Sequence, residues 1–240
     1  MITGWGTLVV CSHFGISLSL SAWWLYIPFM LGGLSPTISS YVILKKHKQV
    51  SGFKEWLKNI FLIKVRPIYY AFTIAMVTLY YIVLVFFSDI VEIHPFYMFF
   101  AMLPVMLVGG GMEEAGWRYI LQPGLDKKYG FILSSIITAI IWFAWHIPLF
   151  YIPGTGQAES MDIWMFAVGV LGMSFSFGAI RKITGSVFLA VLAHSMTNAG
   201  YEVFILSFTW KGAIITTLTL IAVSIISVFI NNRKLKSSTV

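Results

Sequence analysis

Charge is what this sequence has least of. Only 10% of its 240 residues are Asp, Glu, Lys or Arg, against 58% hydrophobic residues and a mean hydropathy of +0.86. A water-soluble domain carries about a quarter charged residues, so too little polar surface is present here to cover a soluble globule. The chain reads as an integral membrane protein. Cysteine is almost missing as well: Cys11 stands alone, which excludes an internal disulfide framework. Val10 before it is a poor fit to a lipoprotein cleavage site. No Lys or Arg precedes the first apolar run, so the N-terminus does not read as a cleavable signal peptide. Neither a low-complexity region nor a clear repeat stands out.

What is present is a series of long apolar runs. A spanning helix needs about 20 mostly apolar residues, and candidates fall near 5–22, 23–44, 67–88, 96–120, 130–151, 161–180, 184–206 and 212–231. The expected fold is therefore all-α, a single polytopic membrane domain over residues 1–240, with about eight transmembrane helices around a polar intramembrane cavity. The first candidate is short and contains His13 and several serines. The basic stretch 45–66 is the longest polar connection, with an amphipathic surface helix expected around Phe53–Ile63.

The positions of the charges orient these spans. Lys45, Lys46, Lys48, Lys54, Lys58, Lys64 and Arg66 lie between spans two and three, Lys127 and Lys128 between four and five, Arg181 and Lys182 between six and seven, and Arg233, Lys234 and Lys236 after span eight. With eight spans all four places fall on one side. Asp89, Glu92, Glu159 and Asp162 fall on the other, where Lys211 is the one clear cation. This is the positive-inside bias, and it predicts a multi-pass protein of the cell membrane with both termini cytoplasmic. The +7 net charge then needs no nucleic acid as a partner; the lipid bilayer, through anionic headgroups of the inner leaflet, accounts for it.

With the flanking charges set aside, a few polar residues remain inside predicted spans: Glu113, Glu114 and Arg118 in span four, His146 in span five, and His194, Asn198 and Glu202 in span seven. One ionisable residue at mid-bilayer costs about 2.5–3.5 kcal/mol on insertion scales, so two adjacent glutamates need partners or a task. Glu114 and Arg118 are four apart and share a helix face, whereas Glu113 lies about 100° around the helix. One carboxylate can be held by the arginine while the other stays available. Gly109, Gly110 and Gly111 let another helix approach closely, or let backbone groups face a cavity. His146 sits just before Pro148, which can open the helix. Trp117, Trp142 and Trp145 lie close enough to line the cluster. Glu202, near the outer end of its span, reads as solvated, and His13, His47 and His94 carry no assigned role. Each polar residue alone has a structural explanation, as an ion pair or as helix-packing glue. Their coincidence on three apolar helices favours function.

These residues resemble a known family. "EEAGWR" (113–118) matches EExxxR, "WFAWH" (142–146) is similar to FxxxH with Trp142 where Phe is usual, and "HSMTN" (194–198) matches HxxxN. Their order and separations within the core 96–206 resemble the CPBP family, the CAAX proteases and bacteriocin-processing enzymes also called Abi, and "LGGLSPTISS" (31–40) resembles a glycine–proline segment of bacterial members. The resemblance implies an all-helical intramembrane endopeptidase acting on a membrane-associated peptide or protein, with the oligomeric state open. By the same resemblance Glu113 and His146 activate the attacking water, His194 and Asn198 stabilise the oxyanion, and Glu114 and Arg118 support the site.

The chemistry fits those residue types. Peptide hydrolysis needs an activated water, a stabilised oxyanion and a proton for the leaving amine. A glutamate, two histidines and an amide supply these without a cofactor, and no serine or cysteine is an obvious nucleophile. Two alternatives stand beside this reading. Glu113, His146 and His194 are plausible zinc ligands, although HExxH is missing. A membrane scaffold, an immunity protein or a proton-coupled transporter would use the same cluster for binding. One tension remains: at about 1.5 Å per residue, Glu113 falls toward the cytoplasmic half of span four and His146 nearer the outer half of span five.

Overall fold

The computed structural model describes residues 2–15 and 23–237. The described residues are 82% helical, and the chain is an all-α membrane protein as the composition predicts. A π-helical turn, Ile2–Gly6, runs into α1 (Thr7–His13). Helices α2 (Tyr26–Gly33) and α3 (Ser35–Lys46) are bent by 55° about Leu34. The bend falls where the Gly32–Gly33 pair weakens one helix and Pro36, in the first turn of the next, suits a helix start. The surface helix α4 (Phe53–Ile60) buries Trp56 and Ile60, four apart, and leaves Lys54 and Lys58 in solvent.

Helix α5 (Pro67–Phe87) leads into strand β1 (Asp89–Ile93) and then α6 (Tyr97–Gly109). A 3-10 turn (Gly111–Glu113), the single turn α7 (Glu114–Gly116) and a π-helical turn (Trp117–Leu121) join α6 to α8 (Gln122–His146). After the 3-10 turn Ile147–Tyr151 come α9 (Gly156–Ser160), α10 (Ile163–Thr184), α11 (Val187–Tyr201), strand β2 (Phe204–Ser207) and α12 (Trp210–Ser237). Helix α10 packs against α5, α8, α11 and α12. Around it the core gathers Trp142, Val170, Phe177, Ile180, Leu189 and Ala193.

Among the described residues, four segments are long and apolar enough to cross a membrane: Pro67–Phe87, Tyr97–Tyr151, Ile163–Thr184 and Trp210–Arg233, with the bent α2–α3 pair as a fifth. The expectation of about eight separate spans is corrected at one of them. The first expected span, 5–22, ends in residues 16–22, which lie outside the described residues. The expected span 184–206 is the 15-residue α11 followed by a strand; at about 1.5 Å per residue it is shorter than a bilayer core of about 30 Å. Expected spans four and five fall within one 55-residue apolar run, which Gly130 divides into two helical legs.

That run doubles back at Gly130. A straight helix would hold Gln122 and Ser135 about 20 Å apart, yet Gln122 Nε2 donates to Ser135 Oγ at 2.8 Å. Ser134 likewise hydrogen-bonds Asp126, eight residues away. Gly130 has φ 72° and ψ 172°, a conformation open to glycine and costly for other residues. Residues 97–129 and 131–146 are thus two antiparallel legs of a hairpin, and Lys182 of α10 pairs with Asp126 of the first leg at 2.7 Å. On the side predicted to be acidic, β1 and β2 pair antiparallel, with Asp89 opposite Ser207 and Ile93 opposite Phe204. This small sheet, where no strand was expected, ties the end of α5 to the end of α11.

Candidate active site

The three glycines have different tasks. A Cβ on Gly110 would overlap Asn198 Nδ2 and lie 3.3 Å from His194 Nε2. One on Gly111 would overlap Ser195 Oγ and lie 2.8 Å from the Val191 carbonyl oxygen. The backbone at 110–111 therefore lies directly on the His194–Asn198 face of α11, a crossing that side chains forbid. Gly109 meets nothing closer than Met106 Sδ at 4.0 Å, so it does not take part in this approach. Helix α6 ends there, and the 3-10 and π-helical turns that follow set the directions of the next side chains.

Glu113 and Glu114 diverge from these turns. Glu113 Oε2 accepts from Trp142 Nε1 at 2.9 Å and from Trp117 Nε1 at 3.4 Å. Glu114, with no exposed surface, places Oε2 3.3 Å from Arg118 Nε and Oε1 2.9 Å from His194 Nδ1. The i, i+4 pair anticipated from spacing is present. It is a charge contact rather than an aligned hydrogen bond. Arg118 is equally buried; its Nη2 donates to the Ser174 carbonyl at 3.3 Å, and the guanidinium lies over the rings of Trp142 at 5.1 Å and Phe177 at 5.8 Å. Two buried opposite charges of this kind hold each other in place, because removing either leaves the other uncompensated.

The histidines complete the cluster. A carboxylate oxygen accepts, so His194 Nδ1 donates to Glu114, and its Nε2 faces the Gly110 backbone beside the Asn198 amide. The His194 ring stacks on Phe177 at 5.3 Å and meets Trp142 edge-on at 5.4 Å. His146 ends α8 where Pro148 starts a 3-10 turn. Its Nδ1 lies 2.9 Å from the Trp142 carbonyl; a carbonyl only accepts, so Nδ1 carries the proton, and Nε2 has no partner among the described residues. Trp145 at 4.6 Å and Phe166 at 5.0 Å pack on the ring.

The hairpin removes the tension in depth. Glu113 lies 17 residues before Gly130 and His146 lies 16 after it, so the two legs bring both to nearly the same level. The segment 31–40 joins them: Thr37 Oγ1 donates to the Met112 carbonyl at 2.8 Å, Pro36 packs under Gly116, and Trp145 Nε1 donates to Ser35 Oγ at 3.0 Å. Glu202 is outside the cluster. It is half-buried beyond the end of α11, and its carbonyl lies 2.9 Å from His94 Nδ1. Among the described residues no group of three His, Cys, Asp or Glu side chains is disposed to hold a metal ion. In Glu113, His146 and His194 one glutamate oxygen and both Nδ1 atoms are engaged, and among the described residues Oε1 and the two Nε2 atoms have no hydrogen-bond partner. Sequence reasoning missed the indole N–H groups on Glu113. The signal was the tryptophan in the WFAWH motif, which brings a donor where phenylalanine has none.

Residues 95–200, from the start of α6 almost to the end of α11, match the family described as type II CAAX prenyl endopeptidase Rce1-like. Over 235 residues the chain is also 27% identical to a protein of Methanococcus maripaludis named CAAX prenyl protease 2, covering 88% of this chain and 86% of that protein. The matched region holds Glu113, Glu114, Arg118, His146, His194 and Asn198, all within one helical membrane assembly. With those matches, the region that carries the polar cluster is similar to the type II CAAX prenyl endopeptidases.

Proposed function

We propose that this protein is an intramembrane endopeptidase in which Glu113 activates the attacking water. One observation carries the reading: of two adjacent buried glutamates, only Glu113 lacks a charged partner in hydrogen-bond contact, and its Oε1 is unengaged among the described residues. Glu113 takes a proton from water while His146 Nε2 orients it. The resulting hydroxide attacks the carbonyl carbon, and the carbonyl π electrons move to oxygen. His194 Nε2 and Asn198 Nδ2, converging beside Gly110, donate to that oxyanion. As a donor at Nε2, His194 carries protons on both ring nitrogens, the one at Nδ1 donated to Glu114. Collapse of the intermediate breaks the C–N bond as Glu113 returns its proton to the leaving amine. Glu114 and Arg118 hold the support, and the chemistry needs no cofactor.

The substrate in this reading is a membrane-associated peptide or protein, met from a multi-pass chain in the cell membrane with both termini cytoplasmic. The name of the archaeal relative makes prenylated CAAX proteins the first class to try. Comparative membrane peptidomics of cells carrying wild type or Glu113→Ala tests the reading. A peptide set present only with wild type supports it, whereas identical peptidomes support a scaffold, immunity or transport role. Cleavage by the purified protein should survive a strong chelator. Stoichiometric zinc, with activity lost on chelation and restored only by metal, would replace the glutamate mechanism with a zinc one.

A further inference from the structure

Trp142 touches more of the cluster than any of its other aromatics. Its indole N–H donates to Glu113 Oε2 at 2.9 Å. Its ring carries the Arg118 guanidinium at 5.1 Å and meets the rings of His194 at 5.4 Å and His146 at 5.8 Å. Its main-chain carbonyl accepts from His146 Nδ1. The side chain is 1% exposed, so water does not compete for the N–H, and a buried donor left unpaired is unfavourable.

Resting on the proteolytic reading above, we infer that Trp142 is a positioning residue: its N–H tethers Glu113 through Oε2 and thereby selects Oε1 as the oxygen that exchanges the proton with water. The geometry supports a choice between the two oxygens. Both indole donors, Trp142 and the more distant Trp117, converge on Oε2, while among the described residues no donor reaches Oε1. A glutamate side chain has three rotatable bonds, and neutral donors at its tip, the nearer from Trp142, fix the rotamer without adding a counter-charge that would hold the proton acceptor too tightly. Phenylalanine at 142 would keep the apolar ring and the main-chain link to His146 but not the tether. The N–H is the atom that sets this chain apart from the usual FxxxH pattern.

The test removes only that atom. Trp142→Phe, and replacement of Trp142 by β-(3-benzothienyl)alanine, which keeps the bicyclic volume and lacks the N–H, are compared with wild type in detergent. Both should lower kcat about tenfold, the worth of one hydrogen bond to a charged group, with KM within about twofold. In uniformly 15N-tryptophan-labelled protein, an indole N–H resonance should move in Glu113→Gln and stay in place in Asp126→Asn; its loss from the benzothienyl protein assigns it to Trp142. A purely structural Trp142 would lower the melting temperature while sparing kcat of the folded fraction, and that result overturns the inference. So does an indole resonance indifferent to Glu113→Gln. A wild-type protein that cleaves no peptide sinks the proteolytic reading by itself, and it takes the positioning role down with it, even where the indole shift still reports the hydrogen bond.

Discussion

The carboxylate of Glu113 meets the N–H groups of two indoles, whereas that of Glu114, one residue on, lies between a guanidinium and an imidazole. The two sides of one turn thus solve the same problem in different ways. Neutral donors orient a carboxylate and leave its proton chemistry open. Charged partners stabilise it and take it out of play. A membrane protein can keep adjacent acids when one of them is committed to structure and so supplies the frame on which the other is presented.

Substitutions that keep shape and remove charge should break this comparison cleanly. The largest effect is expected for Glu113→Gln: cleavage falls about 10⁴-fold, the upper range for loss of a general base, while the detergent melting temperature stays near wild type. Next comes Glu114→Gln, which leaves the Arg118 guanidinium buried without its counter-charge. It should cost about 3–5 kcal/mol, read as lost yield and an early thermal transition. If instead Glu113→Gln unfolds the protein and Glu114→Gln merely slows it, the assignment of roles is reversed. Gly110→Ala should lower kcat about a hundredfold, because its Cβ overlaps Asn198 Nδ2 and displaces the amide by a fraction of an ångström to about one. Gly109→Ala, which meets only Met106 Sδ at 4.0 Å, is its matched control and should stay active. The smallest effect belongs to Asp126→Asn, whose partner Lys182 is 30% exposed. Denaturation should register less than about 1 kcal/mol, which sets the scale for an ion pair outside the buried cluster.

Much of this arrangement was legible from residue types and spacing. Apolar runs gave the membrane and the helices, the four-residue step from Glu114 to Arg118 gave the ion pair, and the ordered motifs gathered residues from three helices. What spacing did not reveal was the path of the chain between them. An ideal-helix count fails across 110–121, where 3-10 and π-helical turns alter the rotation per residue. It fails again at Gly130, because one glycine in a polar stretch does not declare that two apolar runs share a doubled-back hairpin. The strands β1 and β2 were hidden for another reason. Their pairing joins residues more than a hundred positions apart, and local patterning carries no record of such a partner. Helix α11 was overestimated because the apolar run continues past Tyr201 into residues whose hydropathy suits strand and helix alike.

The turn at Gly130 also dictates where this chain tolerates insertions and deletions. Glu113 and His146 are both measured from that one point, along legs of 17 and 16 residues. One extra residue in either leg would rotate everything beyond it by about 100° and slide it by about 1.5 Å, carrying Glu113 or His146 off the shared level. Length is therefore fixed between Glu113 and His146. Growth and shortening are confined to connections outside that interval, such as the stretch between Ile152 and Asp162 or the basic turn before α4.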